Sequence, residues 1–151
     1  MRRDKRNVKI QTKYYGEQTI AEKDVIRFPS GLPGFADQRR YVLQPFGDVF
    51  AILQSLDDVQ IALMVTSPFL FYESYCVDLP DSFVKQLEID SEQDAGIWAV
   101  ISVKSPFAES TANLRAPIVI NMRKRIGKQY IPDHSPYSLH EPLFQKKGKR
   151  A

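Results

Sequence analysis

Hydrophobic and polar positions alternate near the start of the chain. Val8, Ile10, Thr12 and Tyr14 fall on one side of an extended segment with polar residues between them, the period of a half-buried strand. Thr19-Ile20 and Val25 to Phe28 predict two shorter strands separated by the polar Glu22-Lys-Asp24. Pro29, Gly31, Pro33 and Gly34 mark a tight loop, and Asp37 to Arg40 predicts a single helical turn before a strand at Tyr41 to Leu43. Phe50 to Leu53 and Ile61 to Val65 are unbroken apolar runs, strands buried on both faces, with Asp57-Asp58 as the turn between them.

Ser67-Pro68 breaks this rhythm ahead of the aromatic cluster Phe69, Phe71, Tyr72 and Tyr75. One helix is predicted from Pro80-Asp81, with Phe83, Val84 and Leu87 at helical spacing and Asp81 available as a cap. Gly96 to Val103 reads as a central strand. After it, residues 117–131 predict an antiparallel hairpin: Ile118-Val-Ile120, a basic turn at Met122 to Arg125, then a second run from Lys128 to Ile131. Pro117 suits a strand start and Gly127 a bulge or tight bend. Many short strands, one helix and no alternation of strand and helix predict an all-β barrel or sandwich.

At 151 residues the chain is one domain, long enough to bury roughly 70% of its unfolded surface without a disulfide or metal. With 43% hydrophobic and 26% charged residues it is globular. A single cysteine, Cys76, forms no internal bridge and fits a reducing compartment. The first residues, Met1 to Arg6, lead into Val8-Lys-Ile10 with no apolar signal core. No run reaches the about 18 apolar residues of a membrane span. The expectation is a soluble, cytoplasmic protein.

The net charge of +3 conceals an uneven distribution. Six bases lie in residues 1–13 against Asp4, and four more lie in residues 144–151 with no acid. The remainder, residues 14–143, carries 11 bases against 17 acids. Eleven of those acids fall between Asp48 and Glu109, where Lys85 and Lys104 are the only bases. Thr111 to Ile131 reverses the pattern with five bases and no acid. An acidic body of this kind argues against a broad nucleic-acid groove and favours steering toward a basic partner.

Reactive chemistry is scarce. His134, His140 and Cys76 are too few for a zinc constellation. Asp90, Glu92 and Asp94 lack the glycine and terminal glutamate of a calcium loop and read as a solvated acidic segment. Gly31-Leu-Pro-Gly34 is neither a phosphate loop nor a dinucleotide fingerprint. Ser135 beside His134 reads as part of a turn, given Pro136. No catalytic residue, metal site or cofactor is assigned, and no enzyme activity is expected.

Binding features remain. Four aromatics within seven residues, Phe69, Phe71, Tyr72 and Tyr75, either fill a core or form a contact surface edged by Asp57, Asp58, Glu73 and Asp78. On the second reading the partner-binding residues are Asp57, Asp58, Phe71, Tyr72, Glu73 and Tyr75, joined by Asn113, Asn121 and Arg125. The two asparagines read first as turn or capping residues and second as contacts. Arg123 to Arg125 read first as a solvated turn that protects a sheet edge.

Several landmarks occur in order from about Lys9 to Leu143: Thr12-Lys-Tyr-Tyr-Gly16, Phe28-Pro-Ser-Gly-Leu-Pro-Gly-Phe35, Leu53-Gln-Ser55, Thr66-Ser-Pro-Phe69, the Thr111 to Ile131 segment, Tyr137-Ser-Leu139 and Pro142-Leu143. Together they closely resemble the FliW family of flagellar assembly factors. One departure is His140-Glu141, where that family often shows an Arg-His pair. The resemblance implies a mainly β, single-domain, partly open antiparallel β-barrel with one or two short helices. The basic ends lie outside the family pattern and read from their charge as a flexible arm at 1–7 and a flexible tail at 144–151, flanking a barrel domain at 8–143. The resemblance further implies a monomeric binding protein whose partners are flagellin and CsrA, an RNA-binding translational repressor. Flagellin would compete for the protein and thereby free CsrA to repress flagellin mRNA. No direct contact with nucleic acid or membrane is implied. The alternative is an OB-like barrel that binds single-stranded nucleic acid, which the aromatics and basic ends would serve.

Overall fold

The computed structural model describes residues 6–144. Eleven strands and one α-helix occur in this span. The first two, β1 (Asn7–Thr12) and β2 (Gly16–Ala21), form a separate antiparallel hairpin. The main sheet contains β3 (Ile26–Arg27), β4 (Arg40–Phe46), β5 (Phe50–Ser55), β6 (Ala62–Thr66), β7 (Ala95–Ser102), β8 (Thr111–Ala112), β9 (Ile118–Asn121), β10 (Ile126–Gln129) and β11 (Glu141–Pro142). Pairings run from β7 through β6, β5, β4, β3 and β10 to β9, which pairs with β7 again. Two joints in this circuit are thin. β3 meets β10 through the single parallel pair Ile126–Arg27, and β6 meets β7 through two residues of each. All other pairings are antiparallel, so the molecule is a mainly β, partly open barrel.

Alternation along the strands divides the apolar residues among three cores. Tyr41, Leu53, Val65, Ile118 and Ile120 share the inner core with Phe28 and Ile26. On the opposite face of β7, Ala99 and Ile101 pack with Tyr75, Leu114 and Leu143. Val119 and Ile126 turn outward beneath α1 (Asp81–Gln86), where Phe83 and Leu87 cover them. Every residue of β9 is therefore buried, which is why this run reads as continuously apolar. The β1–β2 hairpin is tied to β5 where the Lys13 N–H donates to the Gln54 side-chain oxygen at 2.9 Å.

Some local expectations need correction. Pro80 occupies the helix N-cap and no side chain caps it; Asp81 lies in the first turn, where its charge favours the positive end of the helix. Residues 36–37 make a turn instead of a helical one, closed by the Gln38 N–H on the Phe35 carbonyl at 3.0 Å. The second strand of the basic hairpin starts at Ile126, two residues earlier than expected. Gly127 marks no bulge: a Cβ there would stand 2.7 Å from the Phe28 ring, so glycine is required for that ring to lie against the strand. Asn7 pairs with Ala21, and Phe144 packs on Phe71 and Phe107. Asn7 and Phe144 thus take part in the fold, as does the Arg6 carbonyl, which accepts from the Glu22 N–H at 3.1 Å. The flexibility expected of 1–5 and 145–151 lies outside the described residues.

Candidate partner-binding surface

The segment that follows β6 is built by its aromatic residues. Ser67-Pro68 ends the strand, and a 3-10 turn at Pro68–Leu70 swings the chain outward. Phe69 and Leu70 are left 50% and 60% exposed at the tip. Tyr75 returns to the second core at 5% exposure, and its hydroxyl donates to the Leu114 carbonyl at 3.0 Å. The Tyr72 hydroxyl reaches the Pro142 carbonyl at 2.8 Å. Burial, with the Glu141 charge adding to it, pushes Tyr72 up to about 12; burial likewise pushes Tyr75 up to about 12, with smaller contributions from Tyr137 and Cys76. Both phenols stay neutral donors at any physiological pH. The cluster is thus divided, with Tyr75 in the core, Phe71 and Tyr72 half-buried, and Phe69, Leu70 and Glu73 exposed.

Phe71 also belongs to a closed circuit of four rings. It stacks on Phe50 at 5.9 Å and meets Phe144 edge-on at 6.0 Å; Phe107 closes the circuit at 5.6 Å from Phe144 and 5.7 Å from Phe50. Phe107 and Phe144 come from distant parts of the chain, and no local pattern marks them. Ring pairs of this geometry add about 0.5–1.5 kcal/mol each beyond their buried area.

Beside this surface lies an open groove of ≈ 640 Å³ between the 75–79 segment, α1 and the first half of β7. Phe69, Val77, Leu79, Val84, Ile89 and Ile97 supply its apolar walls, and its charged lining is Asp78, Asp90 and Glu92 without any base. Asp90 and Glu92 of the acidic segment are exposed, as expected, and also form part of the rim of this groove. Among the described residues no three His, Cys, Asp or Glu side chains are grouped to hold a metal ion.

Other candidate residues sit elsewhere. Asp57 and Asp58 lie in the loop before β6, whereas the aromatics follow its far end, about 17 Å away by strand length. Asp57 is also committed within the fold: its carboxylate accepts from the Arg39 and Arg40 N–H groups at 2.9 and 3.2 Å and from the Arg40 guanidinium at 2.9 and 3.1 Å. Asp58 is exposed and closes the loop by accepting from the Gln60 N–H at 3.0 Å.

Both asparagines shape backbone. The Asn113 side-chain oxygen accepts from the Arg115 and Ala116 N–H groups at 3.1 and 3.0 Å. This turn makes the excursion that separates β8 from β9 along the same edge of β7. Asn121, fully buried, donates to the Leu87 and Glu88 carbonyls at 2.9 and 3.0 Å. Its oxygen accepts from the Arg123 and Lys124 N–H groups at 3.0 Å each. One side chain therefore ties the end of α1 to the β9–β10 turn. Arg125 holds φ 57° at the close of that turn and lies 3.8 Å from Asp24.

The bases of the island have partners inside the molecule, acids for three of them. Arg123 bonds Asp90 and Asp94 at 3.1 and 3.2 Å, and Lys124 bonds Glu88 at 2.9 Å. The Lys124 bond and charge hold the Glu88 carboxyl below its ordinary value. Lys128 donates to Gln86 at 2.6 Å, and Arg115 reaches the Ser135 and Asp133 carbonyls at 3.4 and 3.5 Å. Ser135 closes a turn by accepting from the Tyr137 N–H at 3.0 Å. Glu141, at the departure from the familiar pattern, accepts from the Ser138 N–H at 2.8 Å.

The FliW protein family matches residues 9–143. The flagellar assembly factor FliW of Geobacillus thermodenitrificans (strain NG80-2) is 43% identical over 141 residues, 93% of this chain and 98% of that one. The flagellar assembly factor FliW of Bacillus subtilis (strain 168) is 38% identical over 136 residues, 89% and 95% of the two chains. A crystal structure of the flagellar assembly factor FliW superposes with a TM-score of 0.89 at 41% identity, covering 93% of this chain and 99% of that one. No helix among the described residues is long and apolar enough to cross a membrane. Agreement in sequence, length and strand arrangement leads to one conclusion: the chain belongs to the FliW family of flagellar assembly factors.

Proposed function

We propose that this protein acts by binding other proteins in the cytoplasm, taking flagellin as one partner and a CsrA-like translational repressor as the other. Flagellin competes with the repressor, so flagellin level sets how much free repressor acts on flagellin mRNA. The observation that carries this reading is the exposed apolar tip at Phe69 and Leu70 beside an acid-rimmed groove, on a chain of this family. Aromatic anchors with a charged margin are the usual makeup of a protein interface. Acids at Asp78 and Glu92 favour encounter with a basic protein such as an RNA-binding repressor. Nucleic-acid binding by the folded body draws less support, because all five bases of the Thr111 to Ile131 segment already bond within the molecule.

Calorimetric titration with purified flagellin and with the repressor, using the parent and a Phe69→Ser, Leu70→Ser double variant, tests the reading. Saturable binding by the parent and a weakening of about tenfold or more in the variant is the expected result. Heats indistinguishable from dilution for both partners would remove it.

A further inference from the structure

β7 changes partners along its length. Its second half pairs with β6 through Ala99–Thr66 and Val100–Val65, while Ala95 to Trp98 pair with β9 on the opposite edge. The Met122 N–H donates to the Asp94 carbonyl at 2.7 Å, which fixes the parity of the ladder. Asp94, Gly96 and Trp98 direct their N–H and C=O groups toward β9, and Ala95 and Ile97 direct theirs away from it. On that other side β6 has already ended at Thr66, and the chain has left through the Pro68 turn. The Ala95 N–H is taken by the Glu92 carbonyl. The Ala95 carbonyl and both backbone groups of Ile97 have no hydrogen-bond partner on this edge among the described residues.

The same groove is lined by a second stretch of unpaired backbone. Residues 75–80 form no regular structure. The Cys76 N–H donates to the Tyr137 hydroxyl at 3.1 Å, but the amides of Val77, Asp78 and Leu79 have no partner among the described residues. Open backbone on two sides, apolar walls between them and a purely acidic charged lining define what fits. An extended peptide offers N–H and C=O groups along its edge and sends alternate side chains to opposite faces. Apolar residues at every second position would meet Val77, Ile89 and Ile97, while intervening Lys or Arg residues would meet Asp78 and Glu92.

We propose that this groove receives an extended segment of a partner protein, alternating apolar and basic residues, which adds a strand to the open edge of β7 at Ile97. The proposal concerns the mode of recognition and stands whether or not flagellin and the repressor are the partners.

Amide hydrogen exchange, followed residue by residue by NMR, tests it. In the free protein the Ile97 amide should exchange at least about 100-fold faster than those of Gly96 and Trp98. A capped peptide of four Val-Lys repeats at millimolar concentration should slow Ile97 by about tenfold or more, while a Val-Glu peptide leaves it unchanged. Two further Val-Lys peptides, N-methylated at either the valines or the lysines, lose one set of donors each, and at least one should bind about tenfold more weakly. The Asp78→Lys, Glu92→Lys double variant changes two exposed side chains and should weaken the Val-Lys peptide by about tenfold at low salt.

Unchanged Ile97 exchange at saturating Val-Lys peptide overturns the proposal, as does undiminished binding of both methylated peptides. Protection of Ile97 in the free chain that disappears when residues 145–151 are removed would assign the groove to the chain's own basic end. Protection that rises with protein concentration would assign it to a second copy. Either outcome also overturns the proposal.

Discussion

Asn121 joins two elements through a single buried side chain. Its four hydrogen bonds satisfy two carbonyls at the end of α1 and two amides of the next turn, from a position with no solvent exposure. Asn121→Ala leaves those groups without partners where water does not reach the side chain. The cost should be on the order of 3 kcal/mol, read as a lower urea midpoint with an unchanged slope. A midpoint equal to the parent's would show that the four bonds have no net value. Next to it, Glu88 occupies the left-handed position after the helix with φ 57°, where glycine is more usual. The Glu88 N–H bonds the Lys85 carbonyl and the Ile89 N–H bonds the Val84 carbonyl at 3.0 and 3.1 Å, the pattern that closes a helix end. Asparagine as a turn or cap residue is legible from its chemistry. That Asn121 caps a helix that ends more than thirty residues earlier is not, because only the tertiary fold brings the two together.

Among the elements, the β-strands follow from alternation and from the apolar runs, and the helix from the spacing of Phe83 and Leu87. What the pattern misses are features set by contacts between elements. Gly127 is one, since the reason for glycine is the ring of Phe28, the residue that follows the neighbouring strand β3. Gly127→Ala should cost about 1–3 kcal/mol through overpacking against a buried ring, measured by the same urea unfolding. A neutral effect would mean that the ring can shift. Gly31 has a different reason: φ is +67° and a Cβ would stand 2.5 Å from the Ala36 carbonyl oxygen. Both glycines belong to the landmarks that resemble the family, so those landmarks are requirements of packing and of backbone geometry.

Asp57 illustrates the same distinction. Read from the sequence as an edge of a contact surface, it instead clamps the loop before β6 to the start of β4. Desolvation raises its carboxyl, but the bonds from the Arg39 amide and the Arg40 guanidinium and amide, with the Arg40 charge, outweigh it and hold the group below 3.8. A carboxyl depressed on folding contributes stability that is complete above its unfolded value, about 4, and is lost as pH falls through its lower folded value. Asp57→Asn should therefore lower the urea midpoint at pH 7 and flatten its fall below about pH 4. Parallel curves for variant and parent would contradict the clamp.

At the scale of the whole molecule, charge is sorted so that the bases of the folded body are mostly occupied and a set of acids is left at a groove. The basic hairpin, conspicuous in the sequence, spends its charge on Asp90, Asp94, Glu88 and Asp24. The exposed tip offers apolar area, and the groove beside it adds open backbone. The fold class was legible from strand number and rhythm. The surface was legible in part, through Phe69 to Tyr75, while Phe107, Phe144 and the acidic rim join it by folding alone. The central claim is that two proteins compete for this one chain, and displacement tests it most directly. Fluorescently labelled CsrA-like repressor bound to the protein should show high anisotropy, and added flagellin should return it to the value of free repressor. No rise in anisotropy on adding the protein, or a rise that saturating flagellin leaves intact, would contradict the account.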